Sequence, residues 1–372
     1  MRPTSALSFA SSLITRSSSR KDAIGFIGLG AMGKEMARNL ITKTFKENND
    51  ASFVVCDADP MAVTRFLTAN TSLYPNRQII PASSPASVAR SCSTIITMLP
   101  SSPQVDEVYL GGEEGLLAGM VGARQGEETL FLDCTTCDRQ TGVDVAKVVR
   151  ESVPGGEMVD APVSGGVAGA AAGTLTFLCG AESEAIFRQA ETTLLRMGAR
   201  AIHCGGSGTG LVAKIANNLA LGVSMLATAE AMAMGVYGGL SPQTMAHVLN
   251  TSTGRSWSSE INNPAPGALK GTKSSPPAER GYDGGFATRL MAKDLRLALQ
   301  AAGQVGLPTP LGVLASRIYD NLEKRDDYTN KDFSVVFKAL VESAEIIKAQ
   351  KLREGGGAAP EEPDDPVKRY TA

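Results

Sequence analysis

Histidine, the commonest general base, is nearly missing from this chain: His203 and His247 are the only two among 372 residues. Charge of one sign is missing too. A formal net charge of −2 gives no reason to expect nucleic acid or an anionic membrane surface as a partner. No run combines the length and apolarity of a membrane span. The most apolar stretch, Leu211 to Val236, is broken by Lys214, Asn217, Asn218 and Glu230 and reads as a buried helix. Cysteine is present six times, at 56, 92, 134, 137, 179 and 204, yet only Cys134 and Cys137 form a C-x-x-C. There is no second pair to complete a zinc site, so no metal is expected and the thiols read as reduced and incidental. Acid is absent from residues 1 to 20, which carry Arg2, Arg16 and Arg20 among many serines. These residues also lack the apolar core of a secretory signal. The pattern resembles a mitochondrial address, placing the protein in the matrix, though a chloroplast address fits the same composition. No internal repeat is evident.

What remains is an ordinary globular composition, 43% hydrophobic and 20% charged, long enough for about two domains with ample core. From Asp22 to about Gly206 short apolar runs alternate with helical patterns. Strands are expected at 23–28, 53–57, 94–99, 129–133, 157–160, 174–179 and 201–204. Such alternation makes a mainly parallel sheet covered by helices on both faces. After Gly210 the strands stop, and helices are expected at 211–237, 242–249, 286–303, 311–324 and 333–350. The expected organisation is a leader over 1–21, an α/β domain over 22–206, an all-α domain over 207–352 and a disordered tail over 353–372. The long helix near Gly210 would lead from one domain into the other, and clefts between domains favour small ligands.

One junction identifies the α/β domain. The strand Ile24 to Ile27 stops at Gly28, and Gly28-Leu29-Gly30-Ala31-Met32-Gly33 opens a helical pattern. Gly28 permits the tight turn, Gly30 lets backbone approach a pyrophosphate, and Gly33 lets helix pack on strand. The helix start offers N–H groups and a positive dipole end to the phosphates. Asp57 ends the next strand, where a carboxylate accepts both ribose hydroxyls of NAD and repels the extra phosphate of NADP. The fold class is therefore an α/β Rossmann-like dinucleotide-binding domain followed by an all-α C-terminal domain, with NAD as the cofactor.

A dehydrogenase acting on an alcohol needs a group to take the hydroxyl proton as hydride leaves. His203 at an apolar strand end and His247 in an amphipathic helix read as packing residues. Lys214 is the better candidate, just beyond the glycine-rich run 205–210 in the first turns of the long helix. Asn218 follows four residues later on the same face. A lowered pKa, from burial or a nearby cation, would let Lys214 act as a base.

Four blocks, in order, are similar to the β-hydroxyacid dehydrogenase family, specifically its mitochondrial 3-hydroxyisobutyrate branch, from Ala23 to about Gln350. They are the glycine fingerprint with Met36, Asn39 and Leu40; Asp160-Ala161-Pro162-Val163-Ser164-Gly165-Gly166 with Gly173-Thr174-Leu175-Thr176; Gly208-Thr209-Gly210 with Lys214, Asn217 and Asn218; and Gly254 to Ser259 with Gly284-Gly285-Phe286, Leu290-Met291, Lys293 and Asp294. The resemblance implies that Lys214 is catalytic with Asn218 as its partner. It implies that Ser164, Gly165 and Gly166 hold the substrate carboxylate, as a hydroxyl and two backbone N–H groups suit an oxyanion. Lys293 would close over the nicotinamide end with Asp294 helping to fix it. Leu99, Pro100, Gln104 and Thr136 match cofactor-contact positions, and Trp257 and Phe286 would shape the substrate pocket. The activity implied is oxidation of 3-hydroxyisobutyrate to methylmalonate semialdehyde with NAD, in valine breakdown. The partners implied are a small 3-hydroxyacid substrate and further copies of the chain, as a dimer or tetramer.

Departures from the family pattern are few. Cys134-Thr135-Thr136 replaces Ser-Ser-Thr, and Lys34-Glu35 replaces an aromatic-Pro pair on the first helix. The polar segment Pro264–Arg280 and the long loop Gly111–Glu128 read as elements that alter access to the cleft. A 6-phosphogluconate dehydrogenase would carry His where Asn217 stands, and NADP-dependent reductases an Arg soon after the second strand; Arg65 lies too far along. A non-catalytic binding module would be expected to have lost Lys214. Serine, 3-hydroxypropionate and glyoxylate chemistry remain open alternatives.

Overall fold

The computed structural model describes residue 20, residues 23–121 and residues 128–354. Of the leader expected over 1–21, residues 1–19 and 21 lie outside these residues, as do residues 355–372 of the tail expected over 353–372. Arg20, placed within the expected leader, donates to the Ala89 carbonyl at 3.1 Å and to Thr129 Oγ1 at 3.0 Å.

The chain divides into two compact units, one up to Leu211 and one from Val212. In the first, strands β1 (Ala23–Ile27), β2 (Ser52–Cys56), β3 (Gln78–Pro81), β4 (Thr94–Thr97), β5 (Thr129–Asp133), β6 (Gly156–Asp160), β7 (Val163–Ser164), β8 (Leu175–Gly180) and β9 (Gly198–Gly205) form one sheet. Its order is β3-β2-β1-β4-β5-β6-β8-β7, with β9 paired to β8. The pairs from β3 through β6 are parallel, while β6 and β7 both meet β8 antiparallel. Helices α1 (Gly33–Glu47), α2 (Pro60–Thr71), α3 (Pro85–Ser91), α4 (Ser102–Leu110), α5 (Leu116–Met120), α6 (Arg139–Ser152), α7 (Gly166–Ala172) and α8 (Glu184–Leu194) connect them.

The central strands read as unbroken apolar runs because both of their faces are covered. Phe26, Phe53, Leu132 and Val159 enter one core cluster, while their neighbours Ile27, Val54, Phe131 and Met158 enter the other. That division is the two-residue alternation of a strand expressed as two hydrophobic layers. Strands β3 and β7 escaped the sequence pattern: β3 is a half-exposed four-residue piece ending in Pro81, and β7 has two residues. Strand β9 extends earlier than expected, with exposed Ala199 and Arg200 hiding its start.

The chain runs outward from β1 to β2 and β3, then crosses back to β4 on the other side of β1. Order reversal opens a crevice at the carboxyl ends of β1 and β4, the usual ligand position in such sheets.

The second unit is helical beyond the first turn of α9 (Thr209–Tyr237) and comprises α10 (Pro242–Thr251), α11 (Trp257–Glu260), α12 (Thr288–Gln304), α13 (Pro310–Glu323) and α14 (Val336–Glu354). Its core gathers Met225, Met232, Met291, Leu295, Tyr319, Phe333 and Phe337. Gly222 lets α9 and α12 approach: a Cβ there would lie 3.1 Å from Leu295 and 3.2 Å from Met291. Helix α9 is long and apolar enough to cross a membrane by length and composition, with mean hydropathy 1.6 over its most apolar window, and only 44% of that window is buried. This corrects two expectations, that no run reaches that length and apolarity and that this helix is simply buried. Its polar row and its face packed on Met291 and Leu295 are those of a domain helix.

Segment 264–280 also departs from expectation. Pro264, Ala265, Ala268, Leu269, Pro277 and Ala278 are buried, and Tyr282 donates its hydroxyl to the Pro264 carbonyl at 2.9 Å. Its two ends belong to the core, where prolines and alanines supply apolar area that its serines conceal in the sequence, while Lys270, Gly271, Thr272, Lys273 and Ser275 between them are exposed. Within the loop from Gly111, α5 packs Leu116 and Met120 into the core, and residues 122–127 lie outside the described ones.

Candidate active site

The glycine turn divides its work as the motif implies. Gly28 has φ +96°, and a Cβ there would sit 2.2 Å from the Met98 carbonyl oxygen. Gly33 is buried against the turn, where a Cβ would meet the Gly28 carbonyl oxygen at 1.9 Å. Gly30 faces open space, with nothing within 4 Å of its Cβ position. Leu29 is buried, Ala31 is exposed, and Met32 packs against the core. Helix α1 begins at Gly33 without a side-chain cap. Open backbone at Gly30 beside an uncapped helix start fits a dinucleotide pyrophosphate.

Asp57 follows β2 and is half-buried. Its carboxylate accepts the Leu29 N–H at 2.5 Å and the Asp59 N–H at 2.8 Å, tying the end of β2 to the turn. Each oxygen retains acceptor capacity for a hydroxyl. Arg65 is turned to Asp59 at 3.0 Å, a pairing that engages the nearest downstream arginine.

Leu99 and Pro100 follow β4. The Leu99 N–H donates to Thr135 Oγ1 at 2.9 Å, so Thr135 joins the loops after β4 and β5. Thr135 is fully buried, and its own N–H reaches the buried Asp133 carboxylate, which Thr97 Oγ1 also approaches at 2.7 Å. Burial pushes Asp133 up to about 6 against these hydrogen bonds. Thr136, the cofactor-contact candidate, follows and is half-buried; for Thr135 the available sequence signal is the doubled threonine after a strand aspartate. Gln104 lies in the first turn of α4 and accepts from Ser101 Oγ at 2.6 Å.

Ser164 is half-buried at the end of β7, and Gly165 and Gly166 open α7 with φ +134° and +62°. Such angles favour glycine and bring successive peptide groups toward one side. Asn39 on α1 braces α7 by donating to the Ala170 carbonyl at 2.7 Å.

Asp160, in the second family-like block, ends β6 and is buried. Its carboxylate receives the Gly208 N–H at 2.6 Å and the Leu211 N–H at 3.0 Å, capping α9 from the sheet. Gly180 and Gly210 make room, since a Cβ at either would lie within 3 Å of its oxygens. Burial pushes Asp160 up to about 7, opposed by those two N–H bonds.

In the second unit the candidate lysine is buried, with 8% of Lys214 and 1% of Asn218 exposed. Lys214 Nζ donates to Asn218 Oδ1 at 3.1 Å, and the Asn217 amide donates to the same oxygen at 3.1 Å. Asn218 Nδ2 donates to Asp294 Oδ2 on α12 at 2.6 Å, and Lys293 Nζ stands 3.4 Å from Asp294 Oδ1. Burial lowers the Lys214 pKa from the usual lysine value; the Asp294 charge opposes that shift and Lys293 adds to it. A buried lysine with lowered pKa can accept a proton from an alcohol.

Other candidates fall elsewhere. His203 bonds Glu184 at 3.0 Å and stacks on Phe187, and His247 is exposed on α10. Cys134 and Cys137 are buried and not joined by a disulfide, and burial pushes Cys134 well up. Trp257 is 51% exposed at the start of α11 rather than packed, while Phe286 is half-buried against Phe333. Among the described residues no three His, Cys, Asp or Glu gather as a metal site.

A parallel sheet with this glycine turn, and a buried lysine bonded to an amide, define a dinucleotide-dependent dehydrogenase. The comparisons agree. Residues 23–206 match the NAD-binding domain of 6-phosphogluconate dehydrogenase, and residues 208–340 match the NAD-binding model of NADP-dependent 3-hydroxyisobutyrate dehydrogenase. A probable mitochondrial 3-hydroxyisobutyrate dehydrogenase of Dictyostelium discoideum is 43% identical over 87% of this chain and 92% of its own. The mitochondrial 3-hydroxyisobutyrate dehydrogenase of Homo sapiens is 41% identical over 92% of this chain and 93% of its own. Among solved structures, 3-hydroxyisobutyrate dehydrogenase of Mycobacterium tuberculosis with L-serine is 33% identical with TM-score 0.73, covering 86% of this chain and 99% of that one. The chain belongs to the 3-hydroxyisobutyrate dehydrogenase family of NAD-dependent oxidoreductases.

Proposed function

We propose that the protein oxidises 3-hydroxyisobutyrate to methylmalonate semialdehyde with NAD, with Lys214 as the general base. The observation that carries this is the buried Lys214 bonded to Asn218, its pKa lowered by burial. The substrate's primary alcohol gives its proton to Lys214 Nζ while its carbon becomes a carbonyl. NAD, when bound, takes the departing hydride and its two electrons. Ser164, Gly165 and Gly166 hold the substrate carboxylate, a hydroxyl and backbone N–H groups being matched to an oxyanion. The turn from Gly28 to Gly33 takes the pyrophosphate, with Asp57 on the adenosine ribose and Leu99, Pro100, Gln104 and Thr136 along the cofactor. Lys293 serves the nicotinamide end. The Asp57 carboxylate and the engagement of Arg65 by Asp59 favour NAD over NADP.

A second reading is oxidation of serine, favoured by the L-serine in the Mycobacterium tuberculosis structure. The two acids differ by a methyl against an ammonium, which an apolar pocket rejects unless it is paired, whereas the missing methyl of 3-hydroxypropionate is discriminated only about 10- to 200-fold. The mitochondrial names of the relatives support a matrix location and a role in valine breakdown. Exposed Met234 on α9 and Leu311 and Leu314 on α13 support assembly with further copies.

Initial rates test the proposal on the chain lacking residues 1–19, so that Arg20 keeps its contacts. NAD and NADP are compared with 3-hydroxyisobutyrate, serine, 3-hydroxypropionate and 6-phosphogluconate. The highest kcat/KM is expected for NAD with 3-hydroxyisobutyrate; a higher value for another pair overturns that assignment.

A further inference from the structure

The Asn218 amide could sit in either of two orientations of nearly identical shape, and hydrogen bonding alone decides between them. As it stands, Oδ1 faces two donors, Lys214 Nζ and Asn217 Nδ2, both at 3.1 Å. Nδ2 faces Asp294 Oδ2 at 2.6 Å. A carboxylate has only acceptors to offer, so turning the amide over would set oxygen against oxygen at Asp294 and donor against donor at Asn217.

The orientation matters for proton transfer. A neutral lysine amine has two N–H donors and one lone pair. When Asn218 presents its oxygen, it engages an N–H and leaves the lone pair for the substrate hydroxyl. If Asn218 presented its NH2, that group would donate into the lone pair and occupy the basic site. Asp294 is itself 2% exposed and is held on α12 beside Lys293. Its hydrogen bond goes to the amide and not to the lysine, so apart from its charge it reaches Lys214 through Asn218.

We propose that Asp294 is a positioning residue for the proton transfer: its carboxylate locks the Asn218 amide with Oδ1 toward Lys214 and so keeps the lysine lone pair free. This rests on Lys214 being the base, and it gives Asp294 a role other than fixing Lys293 over the cofactor.

A double-mutant cycle in the full catalytic domains tests it. Asp294→Ala should lower kcat about 10- to 100-fold, the usual span for disturbing a general base, with KM for NAD changed less than about twofold. In an Asn218→Ala background the same substitution should cost less than about threefold further, because its route to Lys214 is already gone. Asp294→Asn retains an oxygen to accept from Asn218 Nδ2 and should recover kcat to within about fivefold of the parent. The ascending limb of its pH profile should also move to lower pH, because the negative charge that raises the Lys214 pKa is removed.

Equal multiplicative losses in both backgrounds would overturn the proposal. So would a raised KM for NAD at unchanged kcat, or Asp294→Asn as inactive as Asp294→Ala. If Asp294→Ala fails to fold, by its melting curve, the Asp294→Asn rate and pH profile decide alone. Near-normal turnover by Lys214→Ala would instead remove the lysine, a failure recognisable separately from an additive cycle.

Discussion

Asp57 accepts the Leu29 N–H at 2.5 Å, so the acid proposed for the adenosine ribose also fastens the glycine turn to β2. Its substitution therefore has to be chosen with care. Asp57→Arg removes both functions at once, whereas Asp57→Asn keeps an oxygen for Leu29 while removing the charge and the acceptor for the Asp59 N–H. For Asp57→Asn the ratio of kcat/KM for NAD to that for NADP should fall at least about tenfold, as like-charge repulsion against a 2′-phosphate is relieved. An unchanged ratio would place specificity elsewhere.

Gly30 and Gly33 should separate binding from folding. Gly33→Ala drives a methyl into the Gly28 carbonyl and should lower the melting temperature markedly. Gly30→Ala meets nothing in the protein and should leave the melting temperature nearly unchanged. It should still raise KM for NAD by about tenfold or more, since its methyl occupies the path of the pyrophosphate. Equal KM for Gly30→Ala and the parent would move the pyrophosphate off this turn.

Lys214→Ala should reduce kcat by a factor on the order of 10² to 10⁴ with NAD affinity retained, the range for loss of a general base. Lys214→Arg should be as poor, although it preserves charge and length, because guanidinium does not deprotonate. Rescue by arginine would mean the lysine supplies charge rather than basicity. The parent kcat should rise with pH through a limb below the ordinary lysine value, as burial lowers Lys214.

Stability should fall as pH rises from about 4 to about 7. Burial raises Asp160 to about 7 and Asp133 to about 6, so the folded state holds protons that the unfolded chain has released. Linkage then makes the slope negative: these contributions are complete below the unfolded carboxylate value and lost above the folded one. Melting curves across this window should flatten in Asp160→Asn. Below the folded Asp160 value the variant should also be less stable, because one of the Gly208 and Leu211 N–H groups loses its acceptor, costing about 1–3 kcal/mol. An unaltered slope would assign the dependence to other groups.

Much of this protein was legible in its residues. The β1 turn, Asp57, the alternation that builds the sheet and the i, i+4 pair of Lys214 and Asn218 are all local patterns, where period, spacing and glycine chemistry act within a few residues. The short strands β3 and β7 and the helix α11 were not legible, being two to four residues long and without a full period of pattern. The burial of the two ends of 264–280 was hidden for a different reason, since prolines and alanines bury area without announcing it.

Sequence by itself determined the class of fold, the dinucleotide turn and the placing of Lys214 and Asn218 on one helical face, because each is set by neighbours along the chain. Only tertiary structure decided that Asp160 caps a helix starting 49 residues after it, that Thr135 joins two loops, and that Asp294 accepts from the Asn218 amide. Those three contacts are hydrogen bonds from buried polar groups, which must find partners wherever the fold brings them, and no spacing in a sequence records that search.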